Sequence, residues 1–261
     1  MAFNCNNEWR LMEFPSAINI LGNDVNVVSS FKLLGIAIEN KFNFKQFASD
    51  LRKAINQKLY SIKRLFYLSF QVKLQFFKTF ILPYFDYCST LIIYFSKTLI
   101  QKISNYFYIC VFKLLNLKFS SNLPTDFNYI NNQLEKLGLN SFQHRIFIRL
   151  MTFSYKLFSS EFVPLNLKNL FVENDMFPYN LRSCIANTFI VPSKGILNNY
   201  GEKTFHYFFS IFINTFCKNN QYNDFLIPFK LFKSRTINNV NFHYSLFIST
   251  FNIFNIKYTI R

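Results

Sequence analysis

Acidic side chains are scarce in this chain, and so are most features that announce an enzyme, a secreted domain or a membrane span. Its 261 residues hold 13 Asp and Glu against 29 Lys and Arg, a formal net charge of +16. No two aspartates are adjacent, no Gly-x-Ser-x-Gly occurs, and the five glycines build no phosphate-cradling loop. The five cysteines (Cys5, Cys88, Cys110, Cys184 and Cys217) are odd in number, far apart and free of any Cys-x-x-Cys. His144, His206 and His243 lie near none of them in sequence, which argues against a zinc site and against a disulfide framework. Asparagine is abundant, yet no Asn-x-Ser/Thr sequon occurs, and "MAFNCNNEWRLMEF" has no basic stretch leading into an apolar one. An intracellular protein is expected, with nucleus and cytoplasm both open. Long apolar runs are also missing. "TFILPYFDYCSTLIIYF" is interrupted by Pro83 and Asp86, and "FHYFFSIFINTFC" is 13 residues. A spanning helix needs about 20 predominantly apolar residues, so no membrane insertion is expected.

What the chain does have is apolar mass and unevenly placed positive charge. Hydrophobic residues make up 51%, with 37 phenylalanines, enough to bury a substantial core. The bias toward Phe, Ile, Asn, Lys and Tyr runs throughout, and all five have A/T-rich codons; the phenylalanines are therefore read as core and not as stacking platforms. Residues 1–44 carry 3 basic and 4 acidic groups, residues 45–119 carry 12 and 2, and residues 120–261 carry 14 and 7. The field over the middle segment attracts polyanions, of which nucleic acid and an anionic membrane surface are the two usual kinds.

Residues 17–38 read as strands. "INILGNDVNVV" places a Gly22-Asn23-Asp24 turn between short β-rich runs, and Gly35 inside "FKLLGIAI" reads as a bulge or a close backbone approach. The period then changes. Phe44, Phe47, Ala48, Leu51, Ile55, Leu59, Ile62, Leu65 and Phe66 share one helical face about 120° wide. Lys45, Arg52 and Lys63 line one flank of it, Lys53 and Arg64 the far side, and Lys58 sits at the apolar border. A second helix is expected over 71–94, kinked or split at Pro83, and a third over 97–115. "SSNLPTDFNYINN" (120–132) reads as a linker, 141–158 as a helix, 202–216 as a helix or a buried apolar segment, and 161–201 as irregular. No internal repeat stands out, and the last stretch carries no clear pattern.

The order of these pieces resembles the downstream part of the reverse transcriptase (RNA-directed DNA polymerase) of jockey-like non-long-terminal-repeat retrotransposons. Phe31-Lys32-Leu33-Leu34-Gly35-Ile36 is similar to the strand that ends the family's palm and forms its primer grip. The basic helix, then Pro83, Asp86, Tyr87 and Cys88, resemble its thumb; "YNLRSCIANTFIVPSK" and "NNYGEKTFHYFFSIFIN" resemble its C-terminal region. Together they cover about residues 15–220. The resemblance implies a mainly α chain in three parts: a palm remnant with a primer-grip-like hairpin (1–43), a helical-bundle thumb (44–119), and a helical and irregular C-terminal region (120–261). It also places "YFDY" after the primer grip, so Asp86 is not a decayed catalytic aspartate but a local cap or ion-pair partner, with Tyr84 and Tyr87 packing. The palm carboxylates that hold two Mg2+ ions in the intact polymerase lie upstream of these motifs. This chain alone is expected to carry no catalytic residue, no metal and no cofactor.

The function implied is a truncated reverse transcriptase that grips an RNA, RNA–DNA or DNA duplex through phosphates, without sequence preference and without extending it. The residues assigned to that contact are Lys32 and Gly35 at the grip and Lys45, Arg52, Lys53 and Lys63 on the first thumb helix. Alternatives are a host-retained non-catalytic nucleic-acid-binding protein, a partner acting in trans with an intact reverse transcriptase, a translated relic without function, and a protein of anionic membrane surfaces.

Overall fold

The computed structural model describes residues 16–40, 43–64, 67–87, 89–114, 127–173, 189–192, 204–217 and 227–238. They are mainly helical, with a small β region at the N-terminal end. Two compact units form. One contains both hairpins, the helices up to Phe85 and the helix beginning at Lys97; the other contains Asp86–Ile93 and the helices beyond residue 119.

The β region is two separate two-stranded hairpins built on the same plan. In the first, β1 (Ala17–Ile20) pairs antiparallel with β2 (Asn23–Asn26), Ile20 opposite Asn23. In the second, β3 (Ser30–Leu33) pairs with β4 (Ile36–Glu39), Leu33 opposite Ile36. Each turn is a Leu-Gly pair with both residues left-handed: Leu21 and Gly22 at φ 51° and 83°, Leu34 and Gly35 at 48° and 83°. Two-residue turns with both φ positive match the twist of the flanking strands. The first turn therefore lies one residue earlier than Gly22-Asn23-Asp24. Gly35 is no bulge; it is the second turn residue, and "FKLLGIAI" is a hairpin folded on itself. Around the first turn, the Asn19 amide donates to Asp24 Oδ1 at 2.8 Å, and Gly22 N donates to Asn19 Oδ1 at 3.1 Å.

Helix α1 (Lys45–Arg64) follows. Its entry is fixed by residues before it: Lys45 N donates to Asn43 Oδ1 and to Glu39 Oε2, each at 3.1 Å. A carboxylate there also complements the helix dipole. Phe44, left-handed at φ 52°, is buried with its ring centroid 4.9 Å from that of Phe95. Leu51, Ile55 and Leu59 are the buried stripe, as the periodicity requires. Against α1 pack β4, through buried Ile36, and helix α4 (Lys97–Leu114). The Tyr106 hydroxyl of α4 donates to Asn56 Oδ1 of α1 at 2.7 Å. One turn further on, the Cys110 thiol is fully buried, and that burial pushes its pKa up to about 12.

Pro83 does not split the expected second helix. Helix α2 (Phe70–Phe76) runs through a π-helical turn (Phe77–Ile81) into α3 (Leu82–Asp86). The wider turn, with Leu82 N donating to Phe77 O, lies just ahead of Pro83, whose ring and missing N–H disrupt a regular α-helix. The helical rod ends at Asp86, and Ser89–Tyr94 forms a 3-10 helix.

In the second unit α5 (Phe127–Lys136) occupies half of the stretch read as a linker. It ends in a Schellman closure at Gly138, φ 60°, where Leu139 N donates to Leu134 O at 2.8 Å and Gly138 N to Glu135 O at 2.9 Å. Ser141 caps α6 (Phe142–Ser159) by accepting from His144 N. A short α7 (Leu165–Lys168) and an isolated bridge between Glu173 and Phe189 are what order there is in the described part of 161–201. Helix α8 (Phe205–Cys217) lays Phe209, Phe212 and Ile213 into the core with Phe147, Leu150 and Met151 of α6. Buried Asn214 closes both backbone groups of Phe189, accepting from its N–H and donating to its carbonyl, each at 2.8 Å. The tail pattern that the sequence hid is α9 (Phe229–Asn238), whose Phe232 ring lies 4.6 Å from that of Tyr155.

Candidate nucleic-acid interface

The assigned cations sit in the first unit on two elements. Lys32 is exposed in the middle of β3, opposite Ala37 in the register. Gly35 is exposed at the hairpin tip, where its positive φ by itself favours glycine. Lys45, Arg52 and Lys53 are exposed on α1, and Lys63 lies in its last turn. At 3.6 residues per turn, Lys45 and Arg52 are about 20° apart around the axis, with Lys63 in line with Lys45. Those three mark a row about 27 Å long. Lys53 stands about 100° round from Arg52, on the side away from the core. One flat partner therefore meets the row or Lys53, while a partner that wraps meets both.

Arg52 is held. Its guanidinium carbon lies 5.7 Å from the centroid of the Tyr106 ring, a cation–π distance. The same tyrosine hydroxyl is fixed by Asn56, so the ring is a rigid platform for the charge. Burial raises the Tyr106 pKa, which keeps the phenol neutral. Asp50 is the one carboxylate on α1, and it accepts from the Gln46 amide at 2.9 Å. The row thus has little acidic neutralisation along it.

Asp86 does not pair locally. Its partners lie about sixty residues on: Arg145 Nη2 at 2.5 Å and Nε at 3.2 Å, and Arg149 Nη2 at 2.6 Å. Tyr84 is half-buried, whereas Tyr87 is half exposed. Cys88, Arg182, Ser183 and most of the C-terminal motif lie outside the described residues. Among the described residues no group of three or more His, Cys, Asp or Glu comes together in a way that could hold a metal ion. No described helix is long and apolar enough to cross a membrane.

Sequence reading missed a second cationic surface. On α6, Arg145, Arg149 and Lys156 recur within about 40° of one another around the axis. They line a groove of about 300 Å3 with Lys233 and Phe229 of α9 and with Asp86. The spacing on α6 was a usable signal, hidden by the attention its apolar face draws.

No protein-family model, no curated protein and no solved structure matches this chain.

Proposed function

We propose that this chain is the downstream part of a jockey-like reverse transcriptase, comprising a palm remnant, a thumb and a C-terminal region. In this reading it holds primer–template nucleic acid by its phosphates and does not extend the primer. The observation that carries it is the pairing of a Phe-Lys-x-Leu-Gly hairpin with a helix whose exposed flank bears Lys45 and Arg52. The hairpin packs on that helix through β4, which gives Lys32 and the cationic row one common support. Exposed cations along one helix suit a regular phosphate backbone, and phosphate contacts confer affinity without sequence preference. An intact reverse transcriptase is a second partner consistent with the reading, as the protein that would supply Mg2+ and the catalytic carboxylates.

The test is fluorescence anisotropy with a labelled RNA–DNA hybrid at several salt concentrations. Neutralising about four phosphates gives log Kd a slope of about 3 to 4 against log salt. Replacing Arg52, Lys53 and Lys63 by glutamine should lower that slope by up to three and weaken binding for all sequences alike. A slope near zero for the wild type would end the duplex-gripping reading. Salt-dependent binding untouched by the triple variant would move the contact off α1.

A further inference from the structure

The groove between α6 and α9 collects four cations and one carboxylate among its ten lining side chains: Arg145, Arg149, Lys156 and Lys233 around Asp86. We propose that it is a binding site for a nucleoside phosphate group. The proposal concerns the second unit and does not rest on the reading of α1.

Three observations carry it. The first is charge. One carboxylate against four cations leaves an excess of three in a concavity, and walls of low dielectric concentrate anions there. The second is the way Asp86 is used. It takes Nε and one Nη of Arg145 and a single Nη of Arg149. A guanidinium has five N–H donors, so three on Arg145 and four on Arg149 lie outside this pair. The carboxylate fixes both forks in place without exhausting them. The Arg145 side chain is only 18% exposed, so its remaining donors are held in a fixed, largely dry setting, where charge-assisted bonds to an oxyanion are strongest. The third is the wall. Phe229, Ile148 and Ile237 give an apolar side, and Thr152 and Asn140 add neutral polar groups. The Lys156 ammonium stands 5.8 Å from the Phe229 ring centroid, so cation and ring are presented together. A cavity near 300 Å3 is at the small end of ligand sites, the scale of a single nucleotide and not of a duplex. Phosphate against the arginines and a base or sugar against Phe229 use both kinds of wall.

The nucleotide has two possible sources, a free mononucleotide or one residue of a strand. Calorimetric titration of the full chain at low salt separates them, using adenosine 5′-monophosphate, inorganic phosphate and a twelve-nucleotide single-stranded RNA. Arg149 and Lys233 are exposed, and Asp86 keeps both bonds to Arg145 when Arg149 is replaced, so the R149Q/K233Q variant should still unfold cooperatively, with only a small drop in melting temperature. It is expected to bind every phosphate-bearing probe at least tenfold more weakly. A K45Q/R52Q/K53Q variant, altered only on α1, should bind the monophosphate as the wild type does. Monophosphate binding as strong as that of the RNA assigns the site to free nucleotides; binding of the RNA alone that R149Q/K233Q weakens assigns it to a strand. Absence of binding by all three probes, or binding to which R149Q/K233Q is indifferent, overturns the proposal.

Discussion

Asp86 bridges Arg145 and Arg149 while only 12% exposed, so its loss strands charge that burial has already partly desolvated. Replacing it with asparagine should cost about 2 kcal/mol in urea unfolding, in line with the loss of hydrogen bonds to a charged group. Asn214 is the neutral counterpart. Asn214→Leu fits the volume but orphans the N–H and carbonyl of Phe189 in the core, and about 3 kcal/mol should go with them. His144 makes a prediction with a sign. Burial lowers its pKa, so the folded protein binds that proton less readily than the unfolded chain, whose histidine titrates near 6.5. Its contribution is whole above about pH 6.5 and is lost as pH falls toward the depressed value. Melting temperature should decline from pH 7 to pH 5, and His144→Gln should flatten part of that decline.

At the scale of elements, the two hairpins pose a shared question. A non-glycine residue in the left-handed region costs about 1 kcal/mol, and each turn puts a leucine there. Leu21 is 98% exposed, so its side chain returns little of that cost by burial. Leu21→Asn should stabilise the first hairpin by about 1 kcal/mol, visible as slower amide exchange across Ala17–Asn26.

Helix periodicity was the most legible signal in the sequence: α1, α4 and α6 lie within a few residues of where the sequence put them, because burial of one face sets both period and length, whereas the nearly all-apolar α8 segment fitted a helix or a buried run equally. The Leu-Gly turns were not legible, since leucine is a poor turn residue and the glycine alone fits a bulge equally well. Continuity through Pro83 was hidden for a similar reason. Proline breaks the α ladder, and only the backbone reveals that a π turn absorbs the disruption. Of the site residues, sequence spacing gave the angular order of Lys45, Arg52 and Lys53 around α1. It could not give the Tyr106 platform under Arg52, which depends on how α4 packs, nor the groove around Asp86, which joins residues about sixty positions apart.

For the whole molecule, a formal charge of +16 is a standing cost of compaction. Like charges repel across the surface, and salt screens them over about 10 Å at 0.1 M. Raising sodium chloride from 0.05 to 0.5 M should therefore raise the melting temperature while it weakens any nucleic-acid complex. Opposite responses of stability and binding to one variable separate a charge-driven interaction from a salt-induced loss of fold.

Cys110 turns the first unit into its own clock. A thiol with a pKa near 12 presents about one thiolate in ten thousand molecules at pH 8, and no solvent reaches its sulfur in the closed core. Alkylating reagents can modify it only in the moments when the core around α4 opens. The rate at which a mild reagent consumes that one sulfur would count those openings on the unmodified protein, and under the proposed function an added RNA–DNA hybrid should slow the count.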